Sequence, residues 1–381
     1  MRPKIRLKGF SKEWENTSFK EIVKVNSGKD YKHLTEGDIP VYGTGGYMLS
    51  VNDSLSDKDG IGIGRKGTID KPQLLKAPFW TVDTLFFMVP NEKIDLNFLF
   101  AVSERTQWKK YDESTGVPSL SKQNIENISL AIPDKIEQQR IAEYFKNLDS
   151  LIEATTKKIE TLKQTKLACL QSMFPQPGEG KPRLRFKEYD DNWDVLPLST
   201  FARKSTEKNT ALEYNITLTN SAEYGVINQL DFFDHDISND SHIDRYYVIH
   251  NDDFVYNPRV STFAPVGPIN RNTLGYSGVM SPLYLIFKVD DINKDFLAYF
   301  FKTTLWHQYM KLEGNTGARF DRLALSDSQF FNMPIYVPKQ VKEQEDIASF
   351  FSNLDKQISL YEHRLEKLTN IKSACLDGMF I

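Results

Sequence analysis

Apolar residues recur at alternating steps of four and three along two stretches of the chain, from Pro133 to Phe174 and from Pro338 to Phe380. In the first stretch these seam positions are Ile141, Phe145, Leu148, Ile152, Thr155, Ile159, Leu162, Lys166, Cys169 and Met173. A period of 3.5 residues is that of a coiled-coil seam. Because neither stretch contains an internal proline, each is predicted to form a helix of roughly 35 residues, about 50 Å long at 1.5 Å per residue.

The two stretches are copies of each other. A shift of 206 positions aligns Gln138 with Gln344, and it aligns the triplet Asn147-Leu148-Asp149 with Asn353-Leu354-Asp355. Such a repeat fixes the architecture of a chain. Since one helix cannot bury a narrow seam alone, the two copies are predicted to pair as an intramolecular coiled coil. The alternative is two long helices that pack separately on different domains.

A basic segment ending in a tryptophan precedes each half of the chain. The opening RPKIRLKGFSKEW is similar to KPRLRFKEYDDNW, which runs from Lys181 to Trp193. Two halves with one order of parts suggest a pseudo-two-fold axis and therefore antiparallel helices. The predicted organisation is a first domain (1–132), a helical spacer (133–174), a linker (175–181), a second domain (182–337) and a second helical spacer (338–381).

Between tryptophan and helix, each half reads as short strands, turns and one helix, so the predicted fold class is α+β. In the first half, GIGIG (60–64) is predicted to be a turn, PFWTVDTLFFMV (78–89) a strand and IDLNFLFAVSERTQWKKY (94–111) a helix. In the second half, YSGVMSPLYLIFKV (276–289) and INKDFLAYFFKTTLWHQYM (292–310) are the corresponding strand and helix. Shared scaffolds with divergent loops are what two modules with different targets would show.

Composition narrows the class of protein. A chain of 381 residues with 40 % hydrophobic and 26 % charged residues suits two or three globular domains. No apolar run approaches the length of about 18 residues that spans a membrane, so a cytoplasmic protein without membrane contact is predicted. Two cysteines do not form a disulfide framework. With a net charge of −3, a nucleic-acid binder must concentrate its positive charge on one face.

No catalytic constellation emerges from the motifs. The segment from Tyr256 to Arg259 partly matches the Asn-Pro-Pro-aromatic signature of amino-methyltransferases, but no glycine-rich cofactor loop accompanies it. GIGIG lacks the Lys-Ser/Thr of a P-loop. The six histidines have no metal spacing, and two cysteines cannot build a zinc site. Neither an enzyme nor a metal site is predicted.

Loops rich in glycine and hydrogen-bonding side chains are the better candidates for function. Arg65 and Lys66 lie beside glycines, which suits close approach to a phosphate or a base edge. Arginine can read guanine and asparagine can read adenine. For each residue the alternative is a solvated surface side chain. The candidate DNA-binding residues are Lys29, Tyr31, Tyr42, Thr44, Arg65, Lys66, Thr115, Tyr256, Asn257, Arg259, Ser281, Thr316 and Arg319.

The repeated segment with Pro133, Glu137-Gln138, Ile141-Ala142, Leu148-Asp149 and Ile152 resembles the central and distal helical regions of type I restriction–modification specificity subunits. The resemblance covers nearly the whole chain, and the stretch GIGIGRKGTIDK…PFWTVDTLFF is similar to the recognition-domain core of that family. It implies a non-catalytic subunit in which each domain reads one half of a bipartite site in double-stranded DNA. The helices would fix the spacer between the half-sites.

The resemblance also implies partners. Methylation subunits, two in number, would dock on the helices and hold the S-adenosylmethionine that modifies adenine at N6, so no cofactor is expected in this chain. Restriction and translocase subunits would complete the complex. Candidate interface residues are Gln138, Gln344, Asn147, Asn353, Asp149 and Asp355, and a role at the helix start is the alternative for the glutamines. A coiled-coil adaptor that does not read DNA is the rival function.

Lysines interrupt the apolar seam near the end of each predicted helix. Lys166 occupies a seam position in the first copy and Lys372 the matching position in the second. A charged side chain is costly between two packed helices. The two lysines therefore indicate that the helix pair opens there onto a recognition domain or a partner.

Overall fold

The computed structural model describes residues 1–232, 240–315 and 321–381. These residues divide into two compact units, of which unit 1 comprises Met1–Ile159 with Leu360–Ile381 and unit 2 comprises Glu160–Ser359. The boundaries expected from the sequence set the two long helices apart as spacers. In the structure both helices are divided between the units, because each helix end packs into the core of a unit.

Unit 1 is built on a four-stranded sheet and a three-stranded sheet. Its elements are β1 (Glu15–Ser18), α1 (Phe19–Ile22), β2 (Val23–Ser27), β3 (Glu36–Gly43), β4 (Gly46–Val51), β5 (Gly60–Gly64), β6 (Gln73–Leu75), β7 (Trp80–Thr81), β8 (Leu85–Pro90), α2 (Leu96–Arg105), α3 (Lys122–Glu126), β9 (Ser129–Ile132) and the first part of α4 (Lys135–Ser172). The sheets have the orders β2-β8-β5-β6 and β4-β3-β7, and β1 pairs with β9.

Unit 2 repeats the four-stranded sheet. Its elements after α4 are β10 (Asp194–Pro197), β11 (Ala202–Lys204), β12 (Leu218–Ser221), β13 (Gly225–Asn228), α5 (Gln229–Phe232), β14 (Tyr247–Ile249), β15 (Phe254–Tyr256), β16 (Ile269–Arg271), β17 (Gly278–Met280), β18 (Leu285–Val289), α6 (Lys294–Phe300), α7 (His307–Glu313), α8 (Asp327–Phe331), β19 (Pro334–Val337) and the first part of α9 (Val341–Met379), whose second part belongs to unit 1. The order β11-β18-β15-β16 corresponds to β2-β8-β5-β6 of unit 1, as two modules on one scaffold require.

The GIGIG segment is an inner strand, and its prediction as a turn is wrong. All five residues of β5 are buried, and the strand pairs antiparallel with β6 and β8. A β carbon added to Gly62 would lie 3.2 Å from a methyl carbon of Leu75 and 3.3 Å from one of Leu85. Glycine is therefore present because side chains of the neighbouring strands fill the space above it.

Other predicted elements are interrupted. The strand expected at 78–89 is split into β7 and β8 by a turn that Leu85 N closes on Val82 O at 2.9 Å. The helix expected at 292–310 ends at Phe300 and resumes at His307, and the helix expected at 94–111 is α2 followed by a 3-10 turn. The fold class itself, mixed helices and strands with two long helices, is confirmed.

The two long helices pack antiparallel within each unit. In unit 1, Phe380 beyond the end of α9 stacks on Phe145 near the start of α4, with ring centroids 5.8 Å apart. In unit 2, Phe174 beyond the end of α4 stacks on Phe351 near the start of α9 at 6.3 Å. The tryptophans that end the basic segments complete these clusters, with Trp14 6.3 Å from Phe380 and Trp193 5.9 Å from Phe174. The predicted intramolecular helix pair is thus present in both units.

The basic segments bind the long helices through matched contacts. Arg6 donates two hydrogen bonds to the Glu137 carboxylate, at 2.8 and 2.7 Å, and Arg185 donates two to Glu343, at 2.7 and 2.8 Å. The carboxylates are nearly inaccessible to solvent, with 2 % and 1 % of their side-chain surface exposed. Part of the positive charge of these segments is therefore neutralised inside the fold. Among the described helices, none combines the length and the apolar character needed to cross a membrane.

Candidate nucleic-acid interface

A small closed loop follows the same inner strand in both units and begins near an arginine. In unit 1 the loop starts at Arg65, directly after β5, and a β carbon on Gly64 would lie only 2.0 Å from Thr68 O. In unit 2 the loop runs from Asn257 to Gly267, where a β carbon on Gly267 would lie 2.1 Å from Asn257 O. Each loop is thus closed at its base by a backbone contact that only glycine permits.

In unit 1 a second loop lies beside the first. Gly67 N donates to Pro118 O at 2.9 Å, and Leu120 N donates to Arg65 O at 2.9 Å. The Asp112 carboxylate accepts hydrogen bonds from Ser114 N at 3.0 Å and Ser119 N at 2.9 Å, which close this loop and lower the pKa of Asp112.

The residues held at the tip of the second loop, Thr115 to Val117, are exposed. Arg65 and Lys66 are also exposed and belong to the segment that pairs with the end of this loop. Three of the predicted DNA-binding residues, Arg65, Lys66 and Thr115, therefore come from adjacent loops although about 50 positions separate them in the sequence.

In unit 2 the corresponding segments bring two arginines side by side. Arg259 and Arg322 are partners in an antiparallel bridge, and Leu323 N donates to Pro258 O at 2.9 Å. The side chain of Arg259 is 58 % exposed, and its Nε lies 3.9 Å from the Asp321 carboxylate, beyond hydrogen-bonding distance. Arg322 was not among the residues predicted from the sequence, although its position a few residues after Thr316-Gly317 could have indicated a second arginine at this loop. The predicted residues Thr316 and Arg319 lie outside the described residues.

The hairpin of β3 and β4 carries a further group of predicted residues in unit 1. Gln73 Nε2 donates to Gly43 O at 2.9 Å and to Thr44 O at 3.3 Å, which fixes the tip of the hairpin. Next to the tip, Tyr47 is 62 % exposed. Sequence reasoning did not single out Tyr47.

The other predicted residues near this hairpin differ in exposure. Lys29 is exposed, and its backbone N–H donates to Thr81 O at 2.9 Å. Tyr31 and Tyr42 are half-buried and pack against small apolar clusters. They present only part of each ring to a ligand.

Three predicted residues of unit 2 have internal roles. Tyr256 is 3 % exposed, its hydroxyl donates to Val266 O at 3.0 Å, and burial raises its pKa. Asn257 donates to Asn220 O at 3.1 Å and accepts from Arg259 N at 3.0 Å. Ser281 Oγ accepts from a backbone N–H two residues on, at 3.4 Å. These side chains satisfy the backbone of their own loops, which polar loop residues commonly do, and their role in DNA binding stays a prediction.

The two glutamines of the long helices are buried. Gln138 is 2 % exposed and accepts a hydrogen bond from Asp95 N at 3.0 Å, while Gln344 is 3 % exposed and accepts from Asn293 N at 2.9 Å. Asp95 and Asn293 are the N-cap residues of α2 and α6. The glutamines therefore hold these shorter helices against the long ones, which favours the internal role at the helix start over contact with another subunit.

The seam lysines point toward the globular part of each unit. In unit 1, Lys372 Nζ binds Asp149 at 2.6 Å and Glu104 of α2 at 2.7 Å. In unit 2, Lys166 Nζ binds Asp355 at 2.5 Å, and Asp355 also accepts from the Tyr299 hydroxyl of α6 at 2.9 Å. At both lysines the ion pairs thus link the two long helices to each other and to the globular part of the unit.

These ion pairs divide the predicted interface residues into two groups. The half-buried carboxylates of Asp149 and Asp355 are engaged inside their units. Asn147 and Asn353, which the repeat places at matching positions, are exposed on the helices. The two asparagines are therefore the predicted interface residues that remain open to a partner.

We expect Gly64→Ala to destabilise unit 1, because its β carbon would overlap Thr68 O and force the loop after β5 open. The expected loss in free energy of unfolding is about 1–3 kcal/mol, as for other overpacked sites. Gly116→Ala is the matched control, since a β carbon there meets nothing within 4 Å. Thermal unfolding of the full chain measures both, and equal melting temperatures for the two variants would contradict the closed loop.

The fold and its paired loops define a two-module protein, and comparison with known families gives its class. Residues 11–164 and 190–370 match the family described as the type I restriction modification DNA specificity domain. Because the two matches span most of the chain, the chain belongs to this family, with one copy of the domain in each half.

Individual relatives agree with this assignment. The chain is 23 % identical over 353 residues to the type I restriction enzyme MjaVIII specificity subunit of Methanocaldococcus jannaschii, covering 87 % of this chain and 78 % of the relative. Its fold is similar to the type I restriction–modification S subunit from M. genitalium, with a TM-score of 0.64, 13 % identity and coverage of 100 % and 99 %. A chain from a structure describing complex assembly and conformational transition of the type I R-M system gives a TM-score of 0.53 at 12 % identity, covering 96 % and 97 %.

Proposed function

We propose that this chain reads a bipartite site in double-stranded DNA, with unit 1 recognising one half-site and unit 2 the other. One observation carries the proposal: both units place an arginine-bearing closed loop after the same inner strand, beside a segment that lies between two helices of the unit. Arginines at such positions can contact phosphates and read guanine in the major groove. A pure adaptor would have no use for two matched loops of this kind.

The long helices would set the distance between the half-sites and carry the docking surface for methylation subunits, two in number. Their apolar seams and lysines are engaged within the units, whereas Asn147 and Asn353 are exposed at matched positions. The methylation subunits would hold S-adenosylmethionine and modify adenine at N6. Restriction and translocase subunits would join the same complex, and this chain would catalyse none of these reactions.

We expect a chain whose segment 15–132 is exchanged for that of a relative with another target to change one half of the methylated motif only. The exchanged segment should keep a phenylalanine equivalent to Phe98, because Phe98 lies 5.7 Å from Phe380 and 6.3 Å from Trp14 outside the segment. Single-molecule methylome sequencing of a host carrying each chain gives the motif directly.

The reciprocal exchange of segment 194–337 is the control, and it should alter the other half. A change of both halves by either exchange would contradict two independent readers. A host whose methylated motifs are the same with and without the gene would support the adaptor instead.

A further inference from the structure

We propose that unit 2 inserts the ring of Phe263 between two neighbouring base pairs of its half-site. This inference rests on the proposed function, because it takes unit 2 to lie on duplex DNA. Phe263 is 80 % exposed, more than any other large apolar side chain in the described part of the chain. Single exposed apolar residues are common on protein surfaces, so the argument depends on how the loop holds this one.

The loop that carries Phe263 is fixed by its own backbone. Ser261 N donates to Ala264 O at 3.0 Å, and Ala264 N donates back to Ser261 O at 3.2 Å, so Phe263 lies in a tight turn between them. Gly267 N then donates to Ala264 O at 3.0 Å. Ala264 is itself buried, at 8 % exposure, and attaches the turn to unit 2.

The base of the loop is equally well held. Asn257 N donates to Pro268 O at 3.0 Å, and Gly267 has a φ of +80° that brings the two ends of the loop together. The Tyr256 hydroxyl binds Val266 O, and Val266 is fully buried. Because the backbone is already ordered, little conformational entropy is lost when the ring meets a ligand.

The positive charges near the loop suit the negatively charged phosphates of duplex DNA. Arg259 stands at the start of the loop, and Arg322 is its partner on the adjacent segment, with 58 % and 30 % of their side chains exposed. One carboxylate, Asp321, lies 3.9 Å from the Nε of each. Proteins that unstack a base step combine an inserted apolar side chain with nearby arginines or lysines that contact the DNA.

Unit 1 lacks this device at the corresponding place. Between Arg65 and Ile69 its loop contains only Lys66, Gly67 and Thr68. Insertion should therefore occur in one half-site of the two, which supplies an internal control. Pyrimidine–purine steps unstack most easily, so we expect the half-site of unit 2 to place such a step at the insertion point.

The test uses the full chain assembled with its methylation subunits and the duplex motif found by methylome sequencing. One 2-aminopurine replaces each adenine of both half-sites in turn, on either strand, except the methylated adenine, since an enzyme acting on a base extrudes it from the stack. We expect fluorescence to rise at one step in the half-site of unit 2 when the complex binds. Phe263→Ala should abolish that rise and weaken binding about 5- to 150-fold, the range for losing one stacked aromatic contact. Phe263→Trp should retain both the fluorescence rise and the affinity of the unaltered complex.

The matched control is Val195→Ala, which truncates another exposed apolar side chain of unit 2, 54 % exposed on β10. It should bind and fluoresce like the unaltered complex. If Phe263→Ala gives the same fluorescence and affinity as the unaltered complex, insertion is wrong while the proposed function stands. Weaker binding of Phe263→Ala to a site whose fluorescence never rises would make Phe263 a groove contact and also overturn insertion. Failure of the unaltered complex to prefer its motif over random DNA would overturn the proposed function itself.

Discussion

Glu343→Ala should lower the free energy of unfolding of unit 2 by about 3–5 kcal/mol, the usual cost of removing one partner from a buried ion pair. Glu343 accepts two hydrogen bonds from Arg185, whose side chain is 11 % exposed, and a third from Trp193 Nε1 at 3.2 Å. Without the carboxylate, the guanidinium stays buried without its counterion. We expect the melting temperature to fall by about 10 °C for a unit of this size.

Two further variants show whether the loss of stability comes from the buried ion pair or from any substitution in helix α9. Lys342→Ala removes an exposed pair with Asp346, 66 % exposed at the lysine, and should cost at most about 1 kcal/mol. The double variant Arg185→Met with Glu343→Met replaces the pair by apolar groups and should recover most of the stability. If the double variant is as unstable as Glu343→Ala, the loss of stability comes from altered packing or from the first turn of α9 and not from the unpaired arginine.

The corresponding pair of unit 1 offers a graded comparison. Glu137 accepts the two hydrogen bonds of Arg6, but Trp14 Nε1 is buried without a hydrogen-bond partner among the described residues. Glu137→Ala therefore removes one hydrogen bond fewer than Glu343→Ala and should cost less. Hydrogen exchange of peptides from each basic segment would assign the loss to its unit.

Inserting one heptad into α4 after Ile159 and one into α9 after Ser359 should lengthen the spacer of the recognised site and leave both half-sites unchanged. Seven residues add about 10.5 Å of helix, which corresponds to about three base pairs at 3.4 Å each. A heptad keeps the seam in phase to within about 20°, so the helix pairing within each unit is preserved. Methylome sequencing reads the new spacer.

An insertion of equal length in the exposed turn after Asn91 is the control, because it lengthens neither helix. Its motif should keep the original spacer. An unchanged spacer after the paired heptad insertions would contradict the proposal that the helices set the distance. Altered half-sites would contradict the separation of reading from spacing.

The long helices were predictable because a seam is a local pattern. Each seam residue follows the previous one by three or four positions, so the period can be read without knowing the partner. The repeat then supplied the partner, and the antiparallel packing of Phe380 on Phe145 and of Phe174 on Phe351 agrees with it. The two modules on a shared scaffold follow from the same repeat.

The candidate interface was only partly predictable, because exposure depends on distant residues. Tyr256 looked available in the sequence, yet Phe330, 74 positions later, stacks on its ring at 5.0 Å. Gln138 is enclosed by the N-cap of α2, and Arg322 comes to lie beside Arg259 only through strand-like pairing.

By itself the sequence determined the repeat and the two helix seams, since a repeat is visible in the residues themselves and a seam is set by neighbours three or four positions apart. Only the tertiary structure decided that the glycines of β5 form a buried strand and that Gln138 and Gln344 are buried. It also decided that Phe263 is exposed to solvent on a loop held by backbone hydrogen bonds. The physical reason is that a side chain's burial and hydrogen bonds are completed by residues far away in the chain.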